Sequence, residues 1–261
     1  MTLSLIDHLY VIAISAVLLF VMLKQQPQIK NRRFTTQEKI GMYWGNSLFL
    51  YGIAAIAVLI WWWQGRGLDD MGFRLPGENV GWYLGLTLAF VVWVVTDATW
   101  KWMSPRKRKE ACEQWRRLTP FMPENRAEMP HAMQLAVCAG ITEEIVFRGF
   151  LIGYFLLLLT GSLPQDVAQP FASWQVWLAV AIPAVIFGLS HLYQGWSGVA
   201  KVIFLSIMFG AIFIASGSLL VVVVLHILID VFAALISPGI MAVTAEQTGK
   251  KMSADSTSVV G

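Results

Sequence analysis

The chain has 261 residues, of which 57% are hydrophobic and 13% charged, whereas an ordinary soluble domain is roughly 45–50% apolar and about 25% charged. That composition excludes a soluble globular enzyme, and the net charge of +3 sits in loops rather than in the stripe a nucleic-acid binder would need. Eight spans of about 20 residues would use about 160 residues, so the length accommodates a bundle with no separate soluble domain. The expected fold is all-α, a polytopic transmembrane bundle of seven or eight helices.

Uncharged runs predict seven spans, at residues 9–23, 40–63, 80–100, 131–160, 174–190, 202–215 and 219–236. Met1 to His8 contain Asp7 but no Lys or Arg, so the first span lacks the basic lead of a signal peptide and reads as a retained helix. Residues 24–39 carry five basic side chains (Lys24, Lys30, Arg32, Arg33, Lys39), and residues 101–130 carry eight (Lys101, Arg106, Lys107, Arg108, Lys109, Arg116, Arg117, Arg126). Residues 64–79 have only Arg66 and Arg74, and residues 161–173 have none. The positive-inside rule then places the two basic loops, Lys201, Lys250 and Lys251 in the cytoplasm, with the N-terminus outside and the C-terminus inside.

The basic loop at residues 101–130 reads first as a topology signal, with an interfacial amphipathic helix on anionic head groups as the alternative. Trp61, Trp62, Trp63, Trp100 and Trp102 read as aromatic belts. Cys112 and Cys138 lack CxxC spacing and are expected to be inert. Residues 250–261 read as a disordered tail. The expected division is 1–130 for the N-terminal helices and basic loop, 131–236 for a catalytic core and 237–261 for the tail, all within one membrane unit.

Ionisable residues inside apolar runs each cost on the order of 3 kcal/mol at the bilayer centre and are functional candidates by default. The fourth span holds Glu143, Glu144 and Arg148, the fifth ends in His191, and the seventh holds His226 and Asp230. Glu144 and Arg148 are i,i+4 neighbours able to pair, while Glu143 points about 100° away without such a partner. Phe187 with His191 and His226 with Asp230 share the same spacing. At 1.5 Å per residue, Glu143 lies ~18 Å from His131 and Asp230 ~16 Å from Leu219, both near mid-membrane, and His191 comes closer to the cytoplasm. Pro183 is expected to kink the fifth helix. Asp97, near the inner boundary, is expected to snorkel or to pair with Lys101 at i,i+4.

Such a group suits water activation, by a carboxylate base with imidazoles that orient a water or bind a metal. Two histidines with one or two carboxylates also suit a zinc-type divalent ion. HExxH is absent, which excludes a standard zincin. A serine nucleophile is poorly supported, because Ser190 and His191 adjoin and neighbours on a helix do not face each other.

The segments Glu143-Glu144-Ile145-Val146-Phe147-Arg148, Phe187 to His191 and His226 to Asp230 resemble the EExxxR, FxxxH and HxxxN/D signature of the CAAX protease and bacteriocin-processing (CPBP, or Abi) family of intramembrane endopeptidases. The likeness covers roughly residues 130–236, with the Gly-Ser lead of GSLLVVVVLHILID as a further point of similarity and residues 69–76 (DDMGFRLP) as a weaker echo. It implies that Glu143 is the general base for a water held by His191. His226 and Asp230 would be oxyanion stabilisers or metal ligands, and Glu144 with Arg148 a supporting pair. The prenyl-protein proteases of the family carry Asn where this chain has Asp230. An anionic Asp cannot donate to an oxyanion but is a better metal ligand, so a divalent metal such as zinc on Glu143, His191, His226 and Asp230 and a metal-free reaction both stay open.

The resemblance further implies a peptide or prenylated-peptide substrate, contact with membrane lipids and no nucleic-acid partner, in an inner membrane of the kind that holds the family's bacterial members. Two competing classes use the same residues: a non-catalytic immunity or scaffold protein, and an ion-binding transporter. No inverted repeat favours the transporter.

Overall fold

The computed structural model describes residues 2–29, 32–77, 80–167 and 170–258, and all regular structure among them is helical. The helices are α1 (Leu5–Ile29), α2 (Thr36–Trp63), α3 (Val80–Trp102), α4 (Pro105–Leu118), α5 (Met129–Glu144), α6 (Gly153–Thr160), α7 (Trp174–Ser190), α8 (Gly195–Ser216) and α9 (Leu219–Ser258). A π-helical stretch, Ile145–Ile152, joins α5 to α6 in one continuous rod. Five helices among the described residues are long and apolar enough to cross a membrane. The other two expected spans are the shorter α7 and the rod, which carries the buried charges. The chain is therefore a polytopic helical membrane protein, as its composition requires.

The rod is the axis of the molecule. α5 packs against α2 and α9, α7 packs against α8, and α1 lies along α7. Every residue from Ile145 to Ile152 is buried, and Phe150, Leu151 and Ile152 join Trp61, Phe213 and Val180 in the main core. α3 is peripheral, packing chiefly on α8. Leu88, Val92 and Val95 on α3, Leu9 and Ile12 on α1, and Leu228 and Phe232 on α9 face outward. A surface so apolar is that of a bundle whose outer faces meet hydrocarbon.

Polar ties define two ends. At one, Arg66 pairs with Asp7, Arg74 donates to the carbonyl of Gly217, and Gln165 reaches Asp70. The N-terminus and the basic-poor loops thus meet on one side. At the other, Lys39 of α2 is buried against Glu128 at 3.2 Å and the Met122 carbonyl at 2.9 Å, and Ser237 of α9 donates to the carbonyl of Pro123. Lys39 was expected in a loop. It is the second turn of α2, whose start is set by a capping box between Thr35 and Glu38, and a buried carboxylate partner makes its burial tolerable.

Within the basic loop, residues 105–118 form the helix α4, in line with the alternative held beside a topology signal, and it packs Cys112 and Leu118 inward. Its Arg106 and Lys109 pair with Glu110 and Glu113 at i,i+4. Lys201 is in α8 rather than in a loop, and Asp97 pairs with it at 2.8 Å across helices; the side chain of Lys101, the expected partner, lies outside the described residues. α7 extends from Trp174 to Ser190 and holds Pro183, the expected kink position, within it. α9 continues to Ser258 where a disordered tail was expected, along Ala-, Glu-, Gln- and Lys-containing sequence of good helix propensity. Lys30 and residues 259–261 lie outside the described residues.

Candidate active site

The site forms where the rod, α7, α8 and α9 approach one another. Gly140, one turn before Glu143, permits a close approach of α9 to the rod. A Cβ there would meet the Ile227 side chain at 2.6 Å and its backbone nitrogen at 2.9 Å. Only a hydrogen at this position lets the α9 backbone come close enough to bring His226 over the carboxylates. Glu143 and Glu144 then end α5 at the π-helical stretch, a helix form that recurs at functional sites.

Glu144 is fully buried and anchors the cluster. Its Oε1 accepts from Arg148 Nη1 at 2.9 Å and lies 2.7 Å from His226 Nδ1. The expected pairing of Glu144 with Arg148 is present, and it reaches a third helix through His226. Arg148 also donates to Ser206 Oγ on α8 at 3.0 Å and sits over the rings of Phe187 and Phe209, 5.3 Å from each centroid. Glu144 Oε2 and Arg148 Nε are buried without a protein partner.

Glu143 and Asp230 flank the other nitrogen of the same imidazole. His226 Nε2 lies 3.7 Å from Glu143 Oε2 and 3.6 Å from Asp230 Oδ2, beyond direct hydrogen-bond length. The Glu143 and Asp230 side chains are 16% and 37% exposed, against 0% for Glu144. As its sequence position suggests, Glu143 has no partner on its own helix among the described contacts, and it faces α9.

His191 differs from expectation in its backbone. It caps the C-terminus of α7 rather than lying on the helix. Its ring turns back, with Nδ1 2.8 Å from the Phe187 carbonyl and 3.2 Å from Ser190 Oγ, so the adjoining serine and histidine do meet. Ser190 Oγ nevertheless points its hydrogen at the same Phe187 carbonyl, at 2.7 Å. A carbonyl only accepts, so Nδ1 carries the proton and cannot take one from the serine. Phe187 holds both imidazoles, its ring centroid 4.7 Å from that of His191 and 6.4 Å from that of His226.

Among the described residues no group of three or more His, Cys, Asp or Glu side chains stands in ligand positions around one point. Both imidazoles engage Nδ1, His226 with Glu144 and His191 with a main-chain carbonyl, which leaves Nε2 of each uncommitted.

Three contributors were not singled out from the sequence. Ser206 and Phe209 complete the Arg148 socket from α8, and Tyr193 stacks beside His191 with centroids 5.7 Å apart. A serine within the apolar run of α8 was the available signal for the first; aromatic residues are too common in this chain to stand out.

Residues 125–232 match the family model "Type II CAAX prenyl endopeptidase Rce1-like". No curated protein and no solved structure matches the chain.

Proposed function

Since residues 125–232 match the type II CAAX prenyl endopeptidase Rce1-like family model, we propose that the chain is an intramembrane endopeptidase that hydrolyses a membrane-held peptide by carboxylate-activated water. Its substrate class is a peptide carrying a lipidated cysteine near its C-terminus. The observation that carries this reading is the approach of Glu143 and Asp230 to His226 Nε2, at 3.7 and 3.6 Å. A water lying off the line between Glu143 and His226 can meet both at an ordinary hydrogen-bond length near 2.8 Å, because 3.7 Å is less than twice that length.

Glu143 is the general base. It is partly accessible and has no cation committed to it, whereas Glu144 is consumed by Arg148 and His226. His191, protonated at Nδ1 by its bond to Phe187, presents the lone pair of Nε2 and is suited to accept a hydrogen from a water. The Arg148–Glu144–His226 chain holds the second imidazole in place, a supporting role rather than a chemical one. Clustering of α4 and the Lys39 end of α2 on one side supports that side facing the cytoplasm.

Glu143→Gln keeps shape and removes the base. Purified and reconstituted, this variant is expected to lose about 10²–10⁴-fold in kcat on an internally quenched, prenylated peptide, with an unchanged Tm. Cleavage at the wild-type rate overturns the assignment.

A further inference from the structure

We infer that Tyr193 is a further catalytic residue of this site, its phenolic O–H donating to the peptide carbonyl oxygen as that oxygen becomes an oxyanion. The inference rests on the hydrolytic reading above and answers a question it leaves open, namely which group has a hydrogen to give. Developing negative charge on a carbonyl oxygen is stabilised by positioned donors.

The assigned side chains are poorly supplied with them. Glu143 must accept a proton. Asp230, as a carboxylate, only accepts. His191 has its hydrogen on Nδ1, committed to the Phe187 carbonyl at 2.8 Å, so its neutral ring presents a lone pair at Nε2. His226 commits its Nδ1 hydrogen to Glu144 at 2.7 Å. Its Nε2 carries a hydrogen only as imidazolium, and Glu143 and Asp230 then compete for it from 3.7 and 3.6 Å.

Tyr193 meets the need. It lies two residues beyond His191 in the tight turn Leu192–Gln194. Its ring is held between His191 and Phe121, each with centroids 5.7 Å away, which keeps the phenol beside the histidine of the site. The phenol oxygen accepts from Gln194 Nε2 at 3.1 Å. With a lone pair so engaged, the hydroxyl hydrogen is the part left to bond outward, and an amide donor behind it strengthens that bond.

The step balances without another reactant. The water oxygen bonds to the carbonyl carbon as one proton passes to Glu143, and the C=O π pair moves to oxygen. Tyr193 hydrogen-bonds that oxygen and keeps its own proton. On collapse the C–N bond breaks, and the departing nitrogen takes the proton held by Glu143.

The test compares wild type, Tyr193→Phe, Gln194→Ala and Glu143→Gln, as full chains in proteoliposomes, on an internally quenched peptide ending in a prenylated cysteine tail. Tyr193→Phe keeps the ring and its packing, and is expected to lower kcat about 10²-fold with KM and Tm nearly unchanged. Gln194→Ala leaves the phenol without its donor and is expected to fall between that variant and wild type. Wild-type kcat in Tyr193→Phe, with Glu143→Gln inactive, overturns the tyrosine alone. A loss confined to KM, or tracking a fall in Tm, also overturns it, since packing then explains the effect. Activity retained in Glu143→Gln, or no cleavage by wild type, overturns the hydrolytic reading and this inference with it.

Discussion

Two buried charge clusters in this molecule satisfy their polar atoms very differently. Around Asp7 and Arg66 no buried side-chain nitrogen or oxygen lacks a partner among the described residues. Both carboxylate oxygens take guanidinium hydrogens, at 2.9 and 2.7 Å, and Ser4 adds its backbone N–H and its hydroxyl. Arg66 also donates to the Thr2 carbonyl and lies over the Trp61 ring. Around His226 Nε2 the contacts with Glu143 and Asp230 stop at 3.7 and 3.6 Å, and the adjoining Glu144 Oε2 and Arg148 Nε have no hydrogen-bond partner among the described residues. Leaving buried polar groups short of partners costs on the order of 1–3 kcal/mol each. A cluster that only staples helices saturates itself, whereas one that must receive a substrate keeps bonding capacity in reserve.

The sharpest way to break this contrast is to exchange the effects. Glu143→Gln is expected to abolish turnover by the margin given above while leaving stability alone. A variant that unfolds instead would make this cluster a staple. Gly140→Ala comes next, because its Cβ would collide with the Ile227 backbone and push His226 away. A displacement of about 1 Å at such a site can cost about 10²-fold, read as kcat in the fraction that remains folded. Arg66→Met strands Asp7 in an apolar surrounding and is expected to destabilise by about 3–5 kcal/mol, measured by unfolding in mixed micelles, with kcat per folded molecule retained. A kcat loss without destabilisation would erase the distinction.

The smallest effect belongs to a third cluster, at the Lys39 end. Burial pushes the Glu128 carboxyl up, but the Glu124 backbone N–H, the Thr36 hydroxyl and the Lys39 ammonium outweigh it and hold its pKa below the ordinary 4.5. A carboxylate depressed in the folded state adds stability at pH values above its unfolded pKa, and that contribution is lost as pH falls through the folded value. Acid titration of Tm should therefore show a drop below pH 4.5 that Glu128→Gln flattens. An identical profile in both would show that Glu128 carries none of it.

The candidate site was legible where its contacts are local. Glu144 and Arg148 sit one turn apart, so their pairing follows from helical spacing, and the solitary position of Glu143 follows from the same geometry. The likeness in residues 130–236 grouped the three segments, and the family match falls on nearly the same stretch. Contacts distant in sequence left no such trace. Asp97 meets Lys201, 104 positions away, a contact its spacing from Lys101 did not reveal. Lys39, a topological charge by its position, is buried through a partner 89 residues on. Ser190 and His191 were judged unable to meet because both were placed on a helix. The backbone leaves the helix at His191, which a count of apolar residues does not reveal.

By itself the sequence determined a membrane bundle, its seven apolar rods and the ionisable residues within them, because hydrocarbon tolerates only hydrogen-bonded helices and makes each buried charge conspicuous. Tertiary structure alone decided which oxygen faces which imidazole nitrogen, that Glu144 braces His226 while Glu143 stays uncommitted, and that Tyr193 joins them. Those relations depend on how closely α9 approaches α5 at Gly140 and on where α7 ends. Both are set by packing between segments that have no local spacing in common.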